Sequence, residues 1–110
     1  MLGTFIHEGD SIDYTPGSAV AAGDVIVQGA LVGVAKSAIE ANVLGSLSVK
    51  GVFDFAKGVG SSDAISAGAS CCWDANNEAM TTTSQGNTYA GKATLAATAA
   101  APTVRVRLDQ

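Results

Sequence analysis

One histidine and two cysteines are all that this 110-residue chain offers to nucleophilic, redox or metal chemistry. His7 lies in the N-terminal stretch with no nucleophile beside it, which argues against a Ser-His-Asp or Cys-His device. Cys71 and Cys72 are adjacent, and neighbouring cysteines rarely bridge each other because the small ring strains the peptide between them. Two thiols and one distant imidazole fall short of a four-ligand zinc site. The stretch "EGDSID" lacks the ligand spacing of a calcium loop, and "AKGVGSSD" lacks the spacing of a phosphate loop. No catalytic residue, cofactor or metal site is expected, and the chain is read as no enzyme.

Charge is scarce as well, at 15% of residues, with six basic against ten acidic side chains and a net charge of −4. An acidic chain without a basic cluster has no surface for phosphate neutralisation, so nucleic acid is not an expected partner. No apolar run approaches the roughly 18 residues of a membrane span. The start, "MLGTFIHEGDS", has neither the basic opening nor the apolar stretch of a secretory signal, and synthesis in the cytoplasm is expected. Aromatics make up only 5%, and much of the 47% apolar content is alanine. A core built of small residues buries little area per residue, so partner chains are expected to contribute stability.

What the chain does have is alternation. In "GSLSVKGVFDFAK" the apolar residues Leu47, Val49, Phe53 and Phe55 fall on one parity and the polar Ser46, Ser48, Lys50 and Asp54 on the other. That is the period of a strand, or of a bent strand pair, with one buried face. Gly51 stands on the apolar parity and marks a bulge or bend. "TVRVRLDQ" repeats the pattern, with Val104, Val106 and Leu108 inward and Arg105 and Arg107 outward. Glycines interrupt the chain at short intervals, as many short strands joined by tight turns require. "AKSAIEANVL" and "KATLAATAAA" have helix propensity but no clear caps, and are read as turns or loops with at most a helical turn.

A weak internal repeat runs through this pattern. "AVAAGDVIV" from Ala19 resembles "AISAGASCC" from Ala64, and "LVGVA" from Leu31 resembles "YAGKA" from Tyr89. The second half carries an insert near "DANNEAMTTTSQGN". The expected fold is all-β: a small sandwich or barrel of two similar units, preceded by an extended N-terminal arm over residues 1–10, with the domain over 11–110. Glu8, Asp10, Asp13, Asp24, Asp54, Asp63 and Asp74 sit beside glycines or at strand ends and are expected to organise turns. Neighbouring side chains of a strand face opposite ways, so one of the two thiols is expected inside and the other outward, open to an intermolecular disulfide.

Across residues 8–108 the chain resembles the small cement, or decoration, proteins of tailed phages and prophages. The pieces that carry the resemblance are "LVGVA", "VKGVF", "WD" (Trp73, Asp74), "TTT" with "GNT", and the closing "VRVRL". The resemblance implies a β-rich structural protein on the outer surface of the virion head, bridging copies of the major capsid protein and working as a homo-oligomer, a dimer or trimer, at local symmetry axes. It supplies no list of binding residues. From the residues themselves, the capsid-contact candidates are Leu2, Phe5 and Ile6 in the arm, apolar and of little use in water, together with the outward Arg105 and Arg107. The alternative function is a β-rich display module that binds carbohydrate or a receptor through exposed aromatics, for which only Tyr14, Trp73 and Tyr89 are candidates.

Overall fold

A computed structural model describes residues 3–61 and 63–110. Nine short strands form: β1 (Ser11–Tyr14), β2 (Val25–Gln28), β3 (Leu31–Val34), β4 (Gly45–Ser48), β5 (Gly51–Ala56), β6 (Ser70–Asp74), β7 (Ala79–Thr81), β8 (Thr88–Ala93) and β9 (Thr103–Leu108). They make two antiparallel sheets, ordered β1-β4-β3-β2 and β5-β9-β8-β6-β7. The fold is all-β, and neither alanine-rich segment forms a helix.

The two sheets are the same motif twice. In the first half, Val20 and Ile39 exchange backbone hydrogen bonds of 2.8 and 2.9 Å; in the second, Ile65 and Ala97 do the same at 2.9 and 2.8 Å. The Gly23 N–H donates to the Ala35 carbonyl, as the Gly68 N–H donates to that of Ala93. Ala35 N–H returns a bond to Asp24, as Ala93 N–H does to Ala69. These backbone pairs cross-link the alanine-rich segments to the stretches that lead into β2 and β6, which satisfies polar groups of both without helix formation. The repeat seen in "AVAAGDVIV" and "AISAGASCC" is therefore a repeat of hydrogen bonding and of strand order. The insert supplies β7, an extra strand on the outside of β6.

The alternating stretch after Gly45 proves to be two strands of two different sheets. β4 ends at Ser48, and the chain turns through Val49 and Lys50 before Gly51 opens β5 with φ at +117°. A side chain at that φ is strained, which is why glycine stands on an otherwise apolar parity.

Most buried apolar residues gather around the second sheet. Phe55, Cys71, Trp73, Met80, Val104, Val106 and Leu108 form one cluster, which Val32 and Val34 of β3 join from the first sheet. The first sheet keeps a smaller cluster of Val20, Ala35, Ile39 and Leu47. The second sheet also nearly closes on itself. Lys57, just past β5, forms a parallel bridge with Met80 of β7, and its buried ammonium donates to the carbonyls of Gly58 (2.6 Å) and Ala99 (3.1 Å). The C-terminal Gln110 ties the sheets together. Its side-chain amide both accepts from the Val32 N–H (2.7 Å) and donates to the Val32 carbonyl, as a strand neighbour would.

Candidate functional site

The arm is anchored at its base. The Val49 N–H donates to the Asp10 carbonyl at 3.0 Å, and Lys50 Nζ lies 3.8 Å from the Asp10 carboxylate. Before this point residues 3–10 belong to no strand and are all exposed, with Phe5 77% and Ile6 80% accessible. Leu2, the third apolar residue of the arm, lies outside the described residues.

Around the base of the arm the cations of the chain converge. A shallow depression of about 390 Å³ is lined by Asp10, Lys36, Lys50 and Arg107 among others. On the outer face of the second sheet, Arg107 stands opposite Val52 of β5 on one side and Lys92 of β8 on the other. Like charges directly opposite on neighbouring strands repel, so this pairing is an electrostatic cost within the protomer. Of the chain's six cations, Lys57 is buried and Arg105 is engaged elsewhere; the other four are Lys36, Lys50, Lys92 and Arg107. Among the described residues, only Lys50 of these four has a carboxylate within ion-pair distance. The result is a positive face on an acidic chain.

Arg105 has a different role from Arg107, although the two alternate on the same strand. It faces Asp54 across the β5–β9 ladder, with Nε 2.9 Å and Nη2 3.2 Å from the two carboxylate oxygens. The guanidinium's hydrogen bonds, reinforced by its charge, hold the Asp54 carboxyl below the usual carboxylate range. Asp54 thus serves a cross-strand ion pair rather than a turn. Three other carboxylates do organise turns. Asp24 accepts from the Ala21 N–H, Asp63 from the Gly60 N–H, and Asp74 from the backbone of Asn76 and Asn77. The Asn77 side chain and backbone together lower the Asp74 carboxyl.

The expectation of one inward and one outward thiol is corrected: Cys71 and Cys72 are both buried, at 0% and 4% exposure, and both are free. Strand β6 is flanked by β8 on one side and β7 on the other, so neither thiol lies at an edge. A register shift also sets Cys71 opposite Gly91 and Cys72 opposite Tyr89, leaving Ala90 as the extra residue of a bulge. Burial pushes both thiols above their ordinary range. Such thiols are poor nucleophiles and have no access to a partner's cysteine.

The aromatic candidates are not gathered at loop tips. Trp73 is buried with its ring 6.1 Å from that of Phe55, and Tyr14 packs on the first sheet's cluster. Tyr89 is partly exposed, at 37%.

A family model described as phage cement protein matches residues 6–108 of the chain. The chain belongs to the phage cement protein family, whose members are structural, capsid-associated components of the virion. Neither the curated proteins nor the solved structures contain a match to it.

Proposed function

We propose that this protein sits on the outer surface of a phage head and stabilises it by bridging neighbouring copies of the major capsid protein, acting as a homo-oligomer. The observation that carries this reading is the four-cation face at the base of the arm. Within it Arg107 and Lys92 stand directly opposite and repel one another in the isolated protomer, a cost that an acidic surface on a partner relieves. Arg107 lies at the centre of that face, while Arg105 supports it by keeping the neighbouring ladder paired. The arm, with Leu2, Phe5 and Ile6, orders on a neighbouring chain of the assembled head, where its apolar side chains leave water. Each contact need not be strong, because the contact is repeated over the head and many together resist internal pressure.

The test mixes purified protein with undecorated heads and follows sedimentation and thermal rupture. Saturable binding with a raised rupture temperature is expected, weakened by salt and by the Arg107→Glu/Lys92→Glu double variant. Removal of residues 2–7 should weaken head binding and leave the protomer folded. A protein that leaves head rupture unchanged at saturating concentration contradicts the proposal.

A further inference from the structure

The duplicated motif makes an internal control for its own edges. In the second sheet, β6 is covered on its outer side by β7, with Cys72, Trp73 and Asp74 opposite Thr81, Met80 and Ala79. In the first sheet the equivalent strand is β2, and among the described residues the sheet ends there. The backbone groups left open can be assigned. Val32 of β3 stands opposite Val27, and its N–H and C=O turn away from β2 to the Gln110 side chain. Residues opposite one another in a non-hydrogen-bonded pair both point their backbone groups outward. The N–H and C=O of Val27, and of Val25 two residues earlier, therefore line the free edge.

Edge strands usually carry a device against further pairing, such as charge, proline or a bulge. Strand β2 reads Val-Ile-Val-Gln and has none of these. The other edges are guarded: β1 contains Asp13, β5 contains Asp54, and β7 is bridged by Lys57. Beside the β2 edge lies a cleft of about 780 Å³, with Val25, Val27, Phe53, Phe55 and Trp73 in its wall and the carboxylates of Asp24, Asp54 and Glu78 also lining it. An open strand edge that carries no charge, beside a cleft with an aromatic and aliphatic wall, is a seat for an added strand.

The chain itself contains a segment that matches the seat. Thr4-Phe5-Ile6 is uncharged, exposed and in no strand of its own, and it precedes β1, the edge of the same sheet opposite β2. Eight residues from Gly3 to Asp10 span at most about 26–29 Å when extended. The four-stranded sheet is about 14 Å across, from three interstrand steps. The reach of the arm is therefore about twice the width of its own sheet, long enough to reach the edge of a second copy.

We propose that the arm of one copy adds as a strand to the β2 edge of a second copy, placing Phe5 in the cleft beside that edge. This names the neighbouring chain on which the arm orders, and it rests on the reading of the arm as an intermolecular element. Donor and acceptor are opposite edges of one sheet, so the contact is head-to-tail and is satisfied throughout only when the copies close into a ring.

The test is made first in solution, where capsid binding plays no part. Sedimentation velocity of the full chain is expected to show an oligomer that is lost in Phe5→Asp/Ile6→Asp, whose substitutions lie outside the fold. Val27→Pro removes an N–H that the protomer does not use, and it is expected to give a folded monomer by circular dichroism. Mixing two single variants, Phe5→Cys and Val27→Cys, under mild oxidation is expected to give an interchain disulfide, in solution or on decorated heads. An oligomer that survives the arm substitutions, or survives a folded Val27→Pro, overturns the proposal. So does absence of the mixed disulfide both in solution and on heads. If Val27→Pro does not fold, the arm variant and the mixed disulfide decide. Monomeric variants that still bind heads leave the capsid-binding role standing, whereas failure of every form to bind heads counts against that role alone.

Discussion

The second sheet nearly closes on itself around a large core, whereas the first keeps the same strand order and stays open. In the second, β7 covers β6 and Lys57 joins β7 back to the end of β5. In the first, no strand among the described residues covers β2, and the sheet's own core there is the small cluster around Leu47 and Ile39. Val32 and Val34 of the first sheet pack into the core of the second. The larger core is thus built mostly by the second half, completed by residues of the first. Duplication provides two copies of one motif, and the insert covers in one copy the edge that stays open in the other.

Equivalent glycines give the sharpest way to break this comparison. Gly91 sits where β8 meets β9, and a Cβ there would fall 1.8 Å from the Arg107 carbonyl oxygen. Backbone cannot step aside without opening the ladder. Gly91→Ala is expected to cost at least about 4 kcal/mol, which lowers the melting temperature by about 20 °C or removes the cooperative transition. Its counterpart Gly33 meets only the Leu47 side chain, at 3.0 Å to Cβ. Gly33→Ala is expected to cost about 1–2 kcal/mol, as overpacking against a movable side chain does. Similar melting curves for the two variants would remove the asymmetry.

The seal of the second sheet comes next. Lys57→Ala deletes a buried donor and strands the carbonyls of Gly58 and Ala99, for an expected loss of about 2–3 kcal/mol in denaturant unfolding. No loss would mean that the sheet does not depend on being closed. The thiols probe the same interior more gently. Both are buried and hard to ionise, so iodoacetamide at pH 8 should label the native chain far more slowly than the unfolded chain. Rapid labelling of either cysteine would show that the closed half opens.

The smallest effect is electrostatic. Asp54 has a lowered carboxyl pKa in the fold, so it contributes stability that is complete above its unfolded value, near 3.8. That contribution disappears as pH falls through the folded value, because the protonated acid no longer pairs with Arg105. The pair is exposed on both sides, so Asp54→Asn should lower the melting temperature only slightly at pH 6 and not at all in strong acid. An unchanged difference across that range would mean that the charge pair is not its source.

Much of the fold is legible in the residues. Alternation around Leu47 and Val106 marks the strands, Gly51 marks the corner between sheets, and the shared Ala-Gly pairs mark the repeat. What the residues do not carry is register. Nothing in "TVRVRL" says that Arg105 falls opposite Asp54 while Arg107 falls opposite Lys92, since that depends on strands distant in sequence. The positive face is hidden for the same reason, because its four residues come from four separate segments. The thiols mislead in a related way. Simple alternation assigns one of them to solvent, whereas both are buried in the fold.

The most direct test of the division between a closed half and an associating half is amide hydrogen exchange, compared between the free protein and the same protein on decorated heads. Slowed exchange is expected in residues 3–10 and at Val25 and Val27, with β5, β8 and β9 protected equally in both states. Protection that instead appears only along the second sheet or the β6–β7 turn, with the arm and β2 exchanging as freely as before, would contradict the account.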